Sequence, residues 1–134
     1  MNRPAGFADG LQAALAGDPE ATGDRQLATF LESRGFASGA RSATNLRLLS
    51  RVLPPDSLRA AVLAALATPL PDMALNGLER VSVIVPRDDL LTVCAKKEGL
   101  ARLLTICGSS PFLTSIISRD PLYFRTLFLD HLLR

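Results

Sequence analysis

Apolar positions recur at helical spacing along most of the chain, and the breaks between them carry glycine, proline or a residue able to cap a helix. Phe7, Leu11, Ala14 and Leu15 form the first stripe, ended by Gly17, Asp18 and Pro19. Leu27, Phe30 and Leu31 form a second between about Asp24 and Arg34, with Gly35 as its stop and residues 36–39 as the connection. Leu46, Leu49 and Leu53 predict a longer helix from Ala40 to Leu53. Pro54 ends it and Pro55 starts the next, because proline is tolerated in a first helical turn but not in an interior. Leu58, Val62, Ala65 and Leu66 mark that Ala-rich helix, which reaches Thr68-Pro69.

Pattern and propensity conflict at one place. Ala74, Leu78, Val81 and Val85 keep helical spacing, yet residues 81–85 (VSVIV) are β-branched and alternate like a strand. A strand there would need a partner, and no second strand-like run exists, so the reading is a helix to about Ile84 ended by Pro86. Asp88 and Asp89 open a further helix, where acids favour the positive end, and it runs through Leu90, Leu91 and Cys94 to a break near Gly99. Leu100, Leu103, Leu104 and Cys107 make the next stripe.

The stretch from Leu103 to Leu127 reads as three helices cut by two stops. Gly108 is the expected left-handed residue closing the first, and Ser110-Pro111 restarts the chain with a cap and a first-turn proline. Phe112, Leu113, Ile116 and Ile117 form the stripe of a short helix, and Asp120-Pro121 repeats the start signal. Beyond it Leu122, Tyr123, Phe124, Leu127, Phe128, Leu129, Leu132 and Leu133 are apolar around most of a helix, which suits a docked helix better than a solvated one. The expected fold is therefore all-α: a single domain over residues 1–134, with about eight short helices in antiparallel hairpins forming a bundle.

Composition changes this picture little. The 134 residues are 48% hydrophobic, enough for a packed core, and only 5% aromatic with no Trp, so Leu, Ala, Val and Ile must fill it. Fifteen basic and 13 acidic residues are evenly spread, and no basic face of the kind nucleic acids require stands out beyond Lys96-Lys97. Neither a leader segment nor an apolar run long enough for a membrane is visible, which points to a cytoplasmic protein with reduced Cys94 and Cys107.

Two segments resemble the N-terminal helical region of the glutamine synthetase adenylyltransferases, also called adenylyl-removing enzymes. The first is Pro71, Asp72, Ala74, Leu75, Asn76, Leu78, Glu79 and Arg80. The second is Leu103, Leu104, Gly108, Ser109, Ser110, Phe112, Leu113, Ile117, Arg119 and Pro121. Cys107, Gly77 and Leu122 depart from the pattern, where an aromatic, a polar residue and an acid are usual. The resemblance implies a whole enzyme that uses ATP and magnesium to put AMP on a tyrosine of glutamine synthetase and removes it by phosphorolysis. It also implies control by glutamine and a nitrogen-signalling protein, and a nucleotidyltransferase domain downstream.

The residues themselves supply no catalytic constellation. His131 is the lone histidine, and the adjacent Asp88 and Asp89 diverge by about 100° on a helix, too far apart to share a metal. Gly108-Ser109-Ser110 lacks the strand and flanking glycines of a nucleophile elbow. The acid pair separated by one residue that holds magnesium in the resembled chemistry is also missing after it, since Pro111, Phe112 and Leu113 follow. The expectation is a non-catalytic scaffold without its own cofactor, docking through Phe124, Leu127, Phe128 and Leu132 onto a catalytic domain or into a dimer. On that expectation Phe128→Glu would give a cleaner monomer without unfolding. A free-standing module that binds a partner helix in an apolar groove is the alternative.

Overall fold

A computed structural model describes residues 6–16 and 24–129. Nine α-helices and no strand occur among them: α1 Phe7–Ala16, α2 Arg25–Arg34, α3 Gly39–Leu49, α4 Pro55–Leu66, α5 Pro71–Ile84, α6 Arg87–Cys94, α7 Lys97–Ser109, α8 Pro111–Ile117 and α9 Pro121–Phe124. The last continues into one π-helical turn, Arg125–Leu129. The all-α expectation holds, and the β-branched run stays helical to Ile84 because Val81 is fully buried while Val83 points outward at 71% exposure. Tertiary burial at helical spacing outweighs local strand preference there.

Proline sets the first turn of α4, α5, α8 and α9. Its missing N–H costs nothing in that turn, and its fixed φ suits the helix. Gly35 closes α2 with φ 127°, donating its N–H to Glu32 O, as its place in the sequence suggests. Two boundaries differ from expectation. Helix α3 ends at Leu49 rather than Leu53, where Ser50 Oγ donates to the Arg47 carbonyl at 2.6 Å and Pro54 prevents helical continuation. The break after α6 falls at Ala95-Lys96 rather than Gly99, which lies inside α7. A Cβ on Gly99 would come within 2.8 Å of the Val93 carbonyl oxygen, so the glycine permits a tight reversal between α6 and α7.

Helices α5 and α7 form the central pair. α3 and α4 pack on α5, α4 also packs on α7, and the α1–α2 hairpin covers α3. At the other end α8, α9 and the π-turn fold back, with the π-turn against α6. One continuous apolar core runs through these layers, from Leu11 and Leu27 through Leu46, Leu75, Leu78 and Leu103 to Phe124 and Phe128.

Gly108 does not act as a left-handed stop. It sits inside α7 and is buried. A Cβ there would overlap the side chain of Thr68, just past the end of α4. Gly77 plays the same part between α5 and α7, where a Cβ would lie 2.8 Å from Cys107 Cβ and 3.0 Å from Thr114 Cγ2. Two of the three departures from the resembled pattern, Gly77 and Cys107, thus face each other across the central crossing: small residues on both helices let the backbones approach. Because the Thr68 end of α4 meets the Gly108 end of α7, these two helices run parallel.

Candidate interaction surface

The segments singled out in the sequence come together in space, in two layers. Leu75, Leu78 and Gly108 are buried in the α5–α7 crossing, with Asn76 and Glu79 half-buried beside it. Ser110 caps α8, its Oγ accepting from Leu113 N at 3.1 Å, and Asp120 caps α9 by accepting from Leu122 N at 2.9 Å. Thr114 Oγ1 donates to the Ser110 carbonyl at 2.9 Å, fixing the turn after α7. Arg80 donates to Ser118 Oγ at 3.3 Å and joins the first segment to the second. Ser109, Arg119 and Pro121 are exposed.

The outer layer is apolar. Phe112 is 72% exposed at the start of α8, with Leu113 beside it. Val83 and Ile84 at the end of α5, and Leu122, Tyr123 and Leu127 on α9 and the π-turn, are also exposed. Two ties bring these last five to the same end of the molecule: Arg80 to Ser118, and Arg125 Nη1 to Asp89 Oδ2 at 3.4 Å. Isolated exposed leucines are ordinary, but several gathered at one end mark a surface suited to a partner.

The expected docking face therefore needs correction. Phe124 is fully buried, and Phe128 is 3% exposed; their rings pack with centroids 5.0 Å apart. The wide π-turn rotates Phe128 inward, together with Leu129, and leaves Leu127 facing out. Leu132 lies outside the described residues, as do His131 and the expected stop at residues 17–19.

Titratable chemistry is sparse in this face. Burial pushes the Cys94 and Cys107 thiols up to about 12 from the ordinary 9.0; at Cys107 the hydrogen bond with Thr114 and the charge of Arg80 pull the other way without overcoming it. Neither is a nucleophile near neutral pH. Among the described residues no group of three His, Cys, Asp or Glu side chains could hold a metal ion. No helix among them is long and apolar enough to cross a membrane.

Two polar devices carry no signal in the local sequence. Asp72, at the start of α5, accepts from Ala37 N at 2.7 Å, Ser38 N at 3.1 Å and Ser42 Oγ at 2.7 Å, while Glu32 Oε2 accepts from Gly39 N at 2.9 Å. The N-terminus of α3, which Ser38 leaves without a side-chain cap, is thus capped by acids from α5 and α2. Arg47 of α3 reaches back to the last carbonyls of α1, donating to Leu15 O at 2.6 Å, and pairs with Asp24 at 2.8 Å.

Compared with known proteins, the chain matches no family model, no curated protein and no solved structure.

Proposed function

We propose that this chain is a non-catalytic helical scaffold segment of a glutamine synthetase adenylyltransferase, the enzyme that adenylylates and deadenylylates glutamine synthetase in the control of nitrogen assimilation. The observation that supports the reading is the way the two resembling segments meet. Residues 71–80 and 103–121 pack on each other through Gly77, Cys107, Thr114 and the Arg80–Ser118 bond, which supports reading them as parts of one helical unit. Within that unit the inner residues build the crossing, and Phe112, Leu113 and the apolar end around Val83 and Leu122 remain for a catalytic domain to cover.

The division of labour follows from the chemistry. Magnesium would neutralise the triphosphate of ATP, which requires carboxylates at paired spacing. No Asp-x-Asp occurs in this sequence, so the nucleotide and metal do not fit residues of this segment and would be held elsewhere in the enzyme. Glutamine synthetase and a nitrogen-signalling protein would be partners of the whole enzyme.

The test mixes this chain with glutamine synthetase, ATP and magnesium, and separately with an adenylyltransferase lacking its N-terminal helices. No AMP transfer by the chain alone is expected, together with binding to the truncated enzyme that Val83→Glu/Leu122→Glu removes. Turnover by the isolated chain, or no binding to the truncated enzyme, would overturn the reading.

A further inference from the structure

A reactive dipeptide lies in the central crossing. Asn76-Gly77 is the one place in the sequence where asparagine precedes glycine; Asn45 is followed by Leu46, and Asn2, outside the described residues, by Arg3. A side-chain amide of this kind is open to attack by the backbone nitrogen of the next residue. Glycine in that next position has no side chain to block the approach and the widest backbone freedom. Ring closure has two requirements: an attacking nitrogen released from hydrogen bonding, and an asparagine ψ rotated far from the helical value of about −42°.

The fold denies both. Asn76 and Gly77 sit in the middle of α5, where helical geometry commits the Gly77 N–H to the carbonyl four residues before it. Gly77 is buried, and a Cβ on it would stand 2.8 Å from Cys107 Cβ, 2.9 Å from Cys107 Sγ and 3.0 Å from Thr114 Cγ2. The contacts that demand a glycine therefore also clamp the backbone on which the reaction depends. Residue 77 cannot leave the helical conformation without parting α5 from α7 and α8, and α5 with α7 is the central pair of the fold. The Asn76 side chain itself is only half-buried, so backbone geometry and not access by water holds the reaction back.

We propose that Asn76-Gly77 is a site of spontaneous covalent modification, shut while α5 packs on α7 and opened by loss of that crossing, so that a chain which has unfolded is marked irreversibly. The Gly77 nitrogen, its proton lost to solvent base, attacks Asn76 Cγ. The bond from Cγ to the side-chain nitrogen breaks, ammonia leaves with a proton from solvent, and a succinimide remains. Water then adds to either ring carbonyl and opens the ring to aspartate or to isoaspartate. No atom is oxidised or reduced, and water is the sole co-reactant. In the isoaspartate the main chain runs through Cβ and Cγ of residue 76, so it is longer there and carries a new carboxylate. The helical ladder cannot close across it, and Gly77 no longer comes into register against Cys107. Nothing in this step depends on the scaffold reading.

Peptide mapping by mass spectrometry tests it, on the whole chain incubated at mildly alkaline pH in buffer and across a guanidinium chloride series. Above the unfolding midpoint, residue 76 is expected to convert at least about tenfold faster than Asn45, which Leu46 shields in any conformation. In buffer its conversion is expected to be at least about a hundredfold slower than in the unfolded chain, and through the transition the rate should follow the unfolded fraction. Gly77→Ala, measured in denaturant where folding plays no part, is expected to slow the reaction to the Asn45 level. Isoaspartate-containing chain, separated by its added negative charge, is expected to refold with a lowered melting temperature or not at all. Equal rates in buffer and denaturant, a rate that ignores the unfolded fraction, or an isoaspartate chain that refolds with an unchanged melting temperature would overturn the proposal.

Discussion

Helix α5, 14 residues and about 21 Å long, has differently built surroundings at its two ends. At its start, Asp72 reaches across to the open end of α3, and Glu32 joins it from α2, so backbone donors from three successive residues are satisfied by carboxylates that belong to other helices. At its finish, α8 and α9 cap themselves with Ser110 and Asp120, and the exposed positions around them are Val83, Ile84, Leu122, Tyr123 and Leu127. Cross-element capping makes the first end complete within the fold. Local capping stabilises the short helices of the second end but leaves their outer faces apolar, which is the arrangement expected where another surface docks.

The largest effect should come from the side of the C-terminal end that faces inward. Phe128→Glu would place a carboxylate where the ring now packs on Phe124, at 3% exposure. Loss of the aromatic alone costs about 3–5 kcal/mol, and an unpaired buried charge adds to it. The expected outcome is loss of cooperative thermal unfolding, and a stable monomer instead would mean that the π-turn does not turn Phe128 inward.

Next is the glycine-lined centre that both ends share. Gly108→Val would drive a branched side chain into Thr68 Oγ1 and Cβ, with the α4 terminus immediately behind. Overpacking of this kind costs about 1–3 kcal/mol, read as a lowered urea midpoint. A left-handed helix stop would be hurt equally by alanine and valine, whereas a steric contact makes valine clearly worse.

Asp72→Ala tests the closed end directly. It removes three acceptor contacts from the start of α3, and the expected cost is about 1–2 kcal/mol, the usual size for loss of a helix cap. Amide exchange should quicken at Ala37 and Ser38 while α8 and α9 are unaffected. Uniform acceleration along the chain would show that the two ends are not separately held.

How much of this was legible in the sequence follows from the range of the interactions. Helix starts were readable because Pro55, Pro111 and Pro121 act within a turn, and Gly35 was readable because a positive φ is a local demand. Gly108 misled because closing a helix and admitting a neighbour ask for the same residue, and the neighbour, Thr68, is 40 positions away. Asp72 entered only through the resemblance; it is a first-turn acid whose partners lie 30 to 35 residues upstream, where no spacing rule reaches. Phe128 misled because an apolar helix gives no phase by itself; the π-turn sets which residues face inward. The packing of α4 on α7 was illegible for a different reason, since it joins two helices that are not consecutive.

The thiols test the middle of the molecule. Folded Cys94 and Cys107 keep their protons up to about 12, while unfolded thiols release theirs near 9.0. Their contribution is therefore fully present below pH 9 and declines as pH rises toward 12, with a limiting slope of about 1.4 kcal/mol per pH unit per thiol. Urea midpoints of the native chain are expected to fall between pH 8 and pH 10 more steeply than those of Cys94→Ala/Cys107→Ala. Parallel slopes would mean that neither thiol is shielded in the folded chain.

The smallest stability change is expected at the outer apolar end, and that small size is informative. Val83 is 71% and Leu122 63% exposed, so Val83→Glu and Leu122→Glu remove little buried area, and each should alter unfolding free energy by no more than about 0.5 kcal/mol. Measured beside Phe128→Glu, these variants separate the inner face of this end, which holds the core, from its outer face, which is exposed. If either exposed substitution destabilised the chain by an amount typical of a core residue, the apolar end would be part of the folded interior. If both leave unfolding unchanged and reduce self-association or binding to the truncated adenylyltransferase, the outer layer of α5, α9 and the π-turn is a contact surface whose side chains fold stability alone does not require.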